Sequence, residues 1–314
     1  MTDIHPTGRS LVLEREGVRA EIGSVAAVLR SLTVHGADLT LPIPADRPPA
    51  MCNGIILSPW PNRVRAGRWM LDGAPQQLDI TEPDRGGALH GLLQFAEYQV
   101  TEQSPDAVTL AATIFPQHGW PFLLETWVRY ELAPDGLTVT HGARNLSAAP
   151  APYATGSHPY LRVGNAPIAE LELTVPASSY FEVDDRLDPI GEVTVEGTAY
   201  DVRTPHRVGD LAFDTAFGEV QHANAADGRG DVAWLTAPDG SRTTLWQSTA
   251  WGYVQVFTTH EMPTADGQID AIAIEPMTAP PDALNSGQGL IWLGQGETWE
   301  GSWGLRYSRG NEGE

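Results

Sequence analysis

The chain has 314 residues, 41% of them hydrophobic, and its 40 acidic residues exceed its 19 basic ones for a net charge of −21. That length fits one large domain, and that apolar content supports a sizeable core rather than a disordered chain. The charge would repel a phosphate backbone or an anionic membrane, so neither nucleic acid nor membrane is expected as a partner, although a local arginine cluster could still hold a small anion.

In chain order, Met1 to Glu16 lacks the apolar segment of a secretory signal. Leu11-Val12-Leu13 and Val18 to Ile22 read as an opening hairpin around Gly17. Ser24 to Val34 is apolar and could be a strand or a short helix, and Pro42 to Pro49 is a Pro-rich loop. Cys52 is the single cysteine, so no internal disulfide can form, and a reducing, cytoplasmic setting is expected. Two further hairpins are clear. Thr126 to Leu132 leads through Pro134-Asp135-Gly136 into Leu137 to His141, and Asp231 to Thr236 leads through Pro238-Asp239-Gly240 into Thr243 to Trp246. In each, Pro presets the turn and Gly is expected to take a positive φ. Thr126, Val128, Tyr130 and Leu132 alternate with Trp127, Arg129 and Glu131, the period of a half-buried strand. Asn145-Leu146-Ser147 matches a glycosylation sequon, taken as chance in the absence of a secretory signal. Tyr253 to Thr258 and Trp299 to Tyr307 are strands as well.

The 32 glycines and 25 prolines are spread along the chain, which is turn punctuation for many short strands. No segment keeps a helical apolar stripe for three turns, and no apolar run is long enough to span a membrane. The expectation is an all-β chain, a large antiparallel β-sandwich with residues 1–314 as a single domain. Oligomeric state is not legible.

HExxH, GxSxG, P-loop and CxxC motifs are all absent. Gly294-Gln295-Gly296 lacks a surrounding βαβ unit and is a turn. Two segments suggest acid/base chemistry instead. Gly156-Ser157-His158-Pro159-Tyr160 pins a histidine in extended backbone, because the following Pro disfavours helix. Ala271 to Glu275-Pro276 is an apolar run that ends on a carboxylate, again before Pro. Alone, each is an ordinary surface group; together, His158 and Glu275 could form an acid/base pair. Asn62-Arg63-Val64-Arg65-Ala66-Gly67-Arg68 is either a solvated loop or a donor cluster for hydroxyl or anionic oxygens. His90 precedes Gly91, where backbone can approach a ligand, and Asp214 lies between aromatics in what could be a simple Asx turn. His90, His158, Asp214 and Glu275 could also be read as a metal set. No short His-x-His pairing supports that, and Arg63 would compete, so no metal is expected. Trp60, Trp120, Trp246 and Trp251 could stack on a sugar face, although most such rings are core.

In order, Pro61-Asn62-Arg63, Leu89-His90-Gly91, His158-Pro159-Tyr160, Phe213-Asp214 to Phe217, Val254 to Thr258, and Ile274-Glu275-Pro276 with Pro281-Asp282-Ala283-Leu284-Asn285 resemble the aldose 1-epimerase (galactose mutarotase) family. The resemblance implies a galactose mutarotase-like β-supersandwich and cofactor-free interconversion of sugar anomers. By position it implies His158 as general acid, Glu275 as general base, and Arg63, His90 and Asp214 as sugar-binding residues. Anomerisation needs the C1 hydroxyl to lose a proton and the ring oxygen to gain one, so a carboxylate and an imidazolium are expected on opposite sides of the ring. A free hexose is the expected substrate. A hexose 6-phosphate anchored by Arg65 and Arg68, or a non-catalytic sugar-binding module, are the alternatives.

Overall fold

The computed structural model describes residues 5–310. Two large antiparallel sheets dominate. The first has ten strands. It runs from Gln99–Gln103 through Ala107–Ile114, Leu124–Ala133, Gly136–Asn145, Thr298–Ser308, Arg242–Ser248 and Arg229–Thr236 to Glu172–Thr174 and His206–Arg207, with Ala223–Ala226 branching from Arg229–Thr236. The second has seven: Pro189–Thr194, Ala177–Val183, Asp214–Val220, Tyr253–Thr264, Gly267–Met277, Gly156–Ser157 and Ile56–Leu57. A four-stranded meander, Ser10–Arg15, Val18–Gly23, Leu29–Val34 and Ala37–Asp38, precedes them.

The alternation read from the sequence explains the burial. On Leu124–Ala133, the residues Thr126, Val128, Tyr130 and Leu132 are buried while Glu125 and Glu131 are exposed. Their inward face meets the second sheet: Val128, Val139 and Leu305 share one continuous core with Phe217, Val254, Val256, Ile272 and Ile274. Among the described residues the one α-helix is a single turn, Ala283–Ser286, and no helix is long and apolar enough to cross a membrane.

The opening hairpin closes at Arg15↔Val18, with both Glu16 (φ 41) and Gly17 (φ 87) left-handed, the turn whose twist matches paired strands. Ser24 to Val34 resolves into a turn at Ala26–Ala27, both at positive φ, followed by the strand Leu29–Val34. The two Pro-Asp-Gly turns differ. Gly240 takes φ 83 as expected. Gly136 does not take a positive φ; it pairs with Ala133 inside the ladder, and a Cβ there would meet the Leu305 carbonyl oxygen at 1.8 Å. Close approach of the neighbouring strand, rather than turn conformation, demands that glycine.

Candidate active site

Strand register builds the floor of a polar pocket on the seven-stranded sheet. Gln255 lies opposite Glu275, and Asp214 lies opposite Phe257. Directly paired residues share a sheet face, as do residues two apart on one strand. Asp214, Gln255, Phe257 and Glu275 therefore point the same way, into a cavity of about 190 Å³.

His158 enters from the next strand. Its backbone is held on both sides, His158 N–H donating to the Ile55 carbonyl (3.1 Å) and Gly54 N–H to the His158 carbonyl (2.8 Å). The Tyr160 ring stacks on the imidazole at 5.3 Å. His158 Nε2 lies 3.3 Å from Glu275 Oε1. His158 Nδ1 and Glu275 Oε2 are buried without a hydrogen-bond partner.

The third wall is a two-strand ladder in which Arg63 pairs with Leu89, next to His90. Asn62 is its hub. The Asn62 backbone N–H donates to His90 Nδ1 at 3.2 Å, which leaves the neutral His90 ring its N–H on Nε2. The His90 ring meets the His158 ring edge-on at 5.4 Å. The Asn62 side chain donates to Gln255 Oε1 (3.2 Å), and Gln255 Nε2 donates to Asp214 Oδ1 (2.6 Å). Gly91 was expected to let a ligand approach; its close neighbour is instead the Ser58 carbonyl, 2.1 Å from where a Cβ would stand.

Arg63 lines the pocket from this ladder. Its side chain is 11% exposed and donates through Nε and Nη2 to both oxygens of Glu82, at 2.7 and 2.9 Å. Asp214 Oδ2 is 4.0 Å from Nη2. The other two arginines of the cluster are engaged elsewhere, with the left-handed Ala66 (φ 51) and Gly67 (φ 60) between them. Arg65 faces Asp188 and Asp282, and Arg68 bonds Gln77. The segment after Glu275 clamps this loop: Asp282 N–H donates to the Arg63 carbonyl (2.7 Å), Arg65 N–H donates to Asp282 Oδ1 (3.0 Å), and Asn285 Nδ2 donates to the Arg68 carbonyl (2.8 Å).

Burial sets the electrostatics. It pushes the His158 imidazole down to about 4, with the Arg63 charge adding to the effect. It pushes Glu275 well above the ordinary carboxylate range; Asp214 adds to this and Arg63 opposes it. It holds His90 well below the ordinary range, helped by His158 and Arg63. Asp214 is raised by burial against the opposing Arg63 charge. The His158–Glu275 contact therefore holds one proton, residing at rest on Glu275, since a neutral pair is the cheaper occupant of a desolvated site.

The structure brings His158, Glu275, Arg63, His90 and Asp214 to one pocket. The acid and base candidates are adjacent rather than on opposite sides of a ring. Adjacency suits anomeric chemistry, because the C1 hydroxyl and the ring oxygen are bonded to the same carbon. His90, His158 and Glu275 also offer one ligand atom each within 4.8 Å of one another, so they are the residues that could hold an ion. Of the tryptophans suggested for stacking, Trp60, Trp120, Trp246 and Trp251 are all buried and none lines the pocket; its aromatics are Tyr160 and Phe257. Sequence reasoning assigned no separate role to Asn62, which it held only within the arginine-rich segment, or to Gln255, whose one signal is an amide amid apolar strand residues, and it missed Glu82. Met51 and Cys52 complete the wall. Cys52 is partly buried, and desolvation pushes its thiol up to about 12.

A desolvated histidine–carboxylate pair, ringed by polar side chains, thus sits on an antiparallel β-sandwich. Residues 9–306 match the aldose 1-epimerase family, and the chain belongs to it. It is 31% identical to the uncharacterized Escherichia coli protein YihR over 312 residues, 95% of this chain and 92% of that one. It is 32% identical to the galactose mutarotase of Pongo abelii over 177 residues, about half of each chain (54% and 50%). The fold superposes on a Caenorhabditis elegans aldose epimerase homologue with a TM-score of 0.83 at 19% identity, covering 96% of this chain and all of that one. It superposes on galactose 1-epimerase from Lactobacillus acidophilus with a TM-score of 0.78 at 22% identity, covering 96% and 95%.

Proposed function

We propose that this isomerase interconverts the α and β anomers of a free hexose, with His158 as general acid and Glu275 as general base. The observation that carries the reading is the 3.3 Å contact of the two groups at the base of a sugar-sized pocket. The cavity, about 190 Å³, is smaller than the roughly 300–1,000 Å³ of sites for drug-sized ligands, which favours one monosaccharide ring over an oligosaccharide.

Glu275 takes the C1 hydroxyl proton while His158 gives a proton to the ring oxygen. The C1–O5 bond breaks and the C1 hydroxyl becomes the aldehyde. Rotation about C1–C2 presents the other carbonyl face, and closure returns both protons. For opening, the shared proton first passes across the 3.3 Å contact from Glu275 to His158, leaving imidazolium with carboxylate; after opening the pair is neutral again, with the same single proton between the two groups. Burial favours the neutral form, so the desolvated site stabilises the pair in the open-chain state. His90 Nε2–H, Arg63, Gln255 and Asp214 supply the donors and acceptors that hold the sugar hydroxyls.

A free sugar fits better than a phosphorylated one. Arg65 and Arg68, the anchors a phosphate would need, are engaged away from the pocket, while Glu82, Asp214 and Glu275 line it. Exchange NMR or polarimetry on the anomers of glucose, galactose and glucose 6-phosphate tests this. Faster anomer exchange on a neutral hexose is expected. A protein that binds hexose without accelerating exchange would be a sugar-binding module, and one that acts on glucose 6-phosphate alone would overturn the free-hexose reading.

A further inference from the structure

We propose that Glu82 determines the charge of the sugar this pocket accepts, by pairing the Arg63 guanidinium and balancing its charge. The proposal rests on the mutarotase reading of the site. A guanidinium is the side chain best shaped to grip a carboxylate or phosphate through two parallel N–H donors. In a buried pocket of a sugar isomerase, a free Arg63 would select for an anionic substituent. Here its Nε and Nη2 are both committed to Glu82, at 2.7 and 2.9 Å. What is left is the end-on pair, Nη1 and the second hydrogen of Nη2, on a guanidinium whose charge a carboxylate already balances.

Glu82 is held in place by its own turn. Its carbonyl accepts from the N–H groups of Arg85, Gly86 and Gly87, and Thr81 Oγ1 accepts the Leu89 N–H at 2.8 Å. Its carboxylate serves two cations: buried Arg63 on the pocket side, and Arg85, 39% exposed, at 3.5 Å on the outer side. Asp214 Oδ2, 4.0 Å from Arg63 Nη2, is too far for a direct hydrogen bond, and a sugar hydroxyl beside that gap can accept from Nη2 and donate to Asp214. An entering carboxylate or phosphate would meet Glu82 and Asp214 with the Arg63 charge already paired, and like charges brought together in a desolvated site are strongly penalised.

The test measures KM and kcat by exchange NMR for glucose, galactose, glucuronate and glucose 6-phosphate, in the wild type, Glu82→Gln and Arg85→Ala. The wild type should show KM values for both anionic sugars at least about tenfold above those for neutral ones. Glu82→Gln should narrow that ratio by about fivefold or more, through KM rather than kcat, with the pH profile unmoved because the proton-transfer pair is untouched. Arg85→Ala should leave the ratio within about twofold. A folded Glu82→Gln enzyme with an unchanged ratio overturns the proposal. So does a wild type that binds glucuronate as tightly as glucose, a measurement that needs no variant. A wild type that exchanges no aldose would instead overturn the mutarotase reading itself.

Discussion

His158 and Glu275 share one proton, so their pH behaviour belongs to the pair. In the mechanism we propose, activity needs the singly protonated pair. It should fall on the acid side as a second proton arrives, near the His158 value of about 4. It should fall on the alkaline side as the proton held on Glu275 is lost, above the ordinary carboxylate range. A profile of kcat/KM against pH with a plateau between these limits is the expected result; an acid limb near 6.5 would show a solvated imidazole instead. Glu275→Gln keeps the shape but cannot accept a proton, and should lower kcat by roughly 10²–10⁴. His158→Asn should do the same, and the double variant should lose far less than the product of the two, because both groups act in one step. If Glu275→Gln stays within about threefold of wild type, the base has to be sought at Asp214. These two residues were legible because each stands in an extended segment fixed by the following proline. Glu82 was not legible: Thr81-Glu82-Pro83-Asp84-Arg85 reads as any charged turn, and its meaning comes from Arg63, 19 residues earlier, which it meets only through the fold.

At the level of elements, the active site depends on a join between the Glu275 strand and the Arg63 ladder. The join is the stretch 281–285, in which Asp282 bonds the backbone of both Arg63 and Arg65. Asp282 itself sits at φ 59, a conformation that Asn tolerates better than Ala. Asp282→Ala leaves the Arg65 N–H without its acceptor and should cost about 1–3 kcal/mol by urea unfolding, together with a raised KM as Arg63 loosens. Asp282→Asn keeps an oxygen acceptor and should retain most of both; equal losses in the two variants would show that carboxylate charge, not the hydrogen bond, matters. Alternating strands and tight hairpins could be read from local pattern, since both are set by neighbours in sequence. The role of Gly136 could not, because Leu305, whose carbonyl forbids a side chain there, lies on a distant strand. Nor could the placement of Arg63 against Arg65 and Arg68, in a loop that turns at the left-handed Asn62, Ala66 and Gly67.

At the scale of the whole molecule, burial keeps three histidines neutral among the described residues: His90, His141 and His158. His141 lies outside the pocket, between Thr155 and Trp303, and is pushed down to about 3. An unfolded chain protonates all three near pH 6.5, whereas the folded chain waits until His158 at about 4 and His141 at about 3. Stability from these groups is therefore complete above pH 6.5 and is lost as pH falls from there toward 3. Glu275, Asp214, Asp188 and Asp282 work the other way, since their raised folded values let the native state take up protons first. The histidine contribution should make the urea midpoint lower at pH 5 than at pH 7.5. An unchanged or higher midpoint would mean that the carboxylates dominate. Added salt should raise the midpoint at neutral pH, by screening the self-repulsion of a −21 chain.

The wall formed by Met51 and Cys52 gives this chain a built-in occupancy gauge. Cys52 is its single cysteine, so any thiol-directed label counts one position. With the thiol pushed up to about 12, almost none is thiolate near neutrality, and alkylation by iodoacetamide should be slow in the native protein and fast in urea. Because the sulfur borders the cavity that the sugar would fill, saturating hexose should slow native labelling further. The concentration that halves the labelling rate then reports sugar affinity by mass spectrometry, with no anomer measurement involved. Labelling at one rate with and without sugar would place the bound ring away from Cys52, on the His90 and Asp214 side of the pocket.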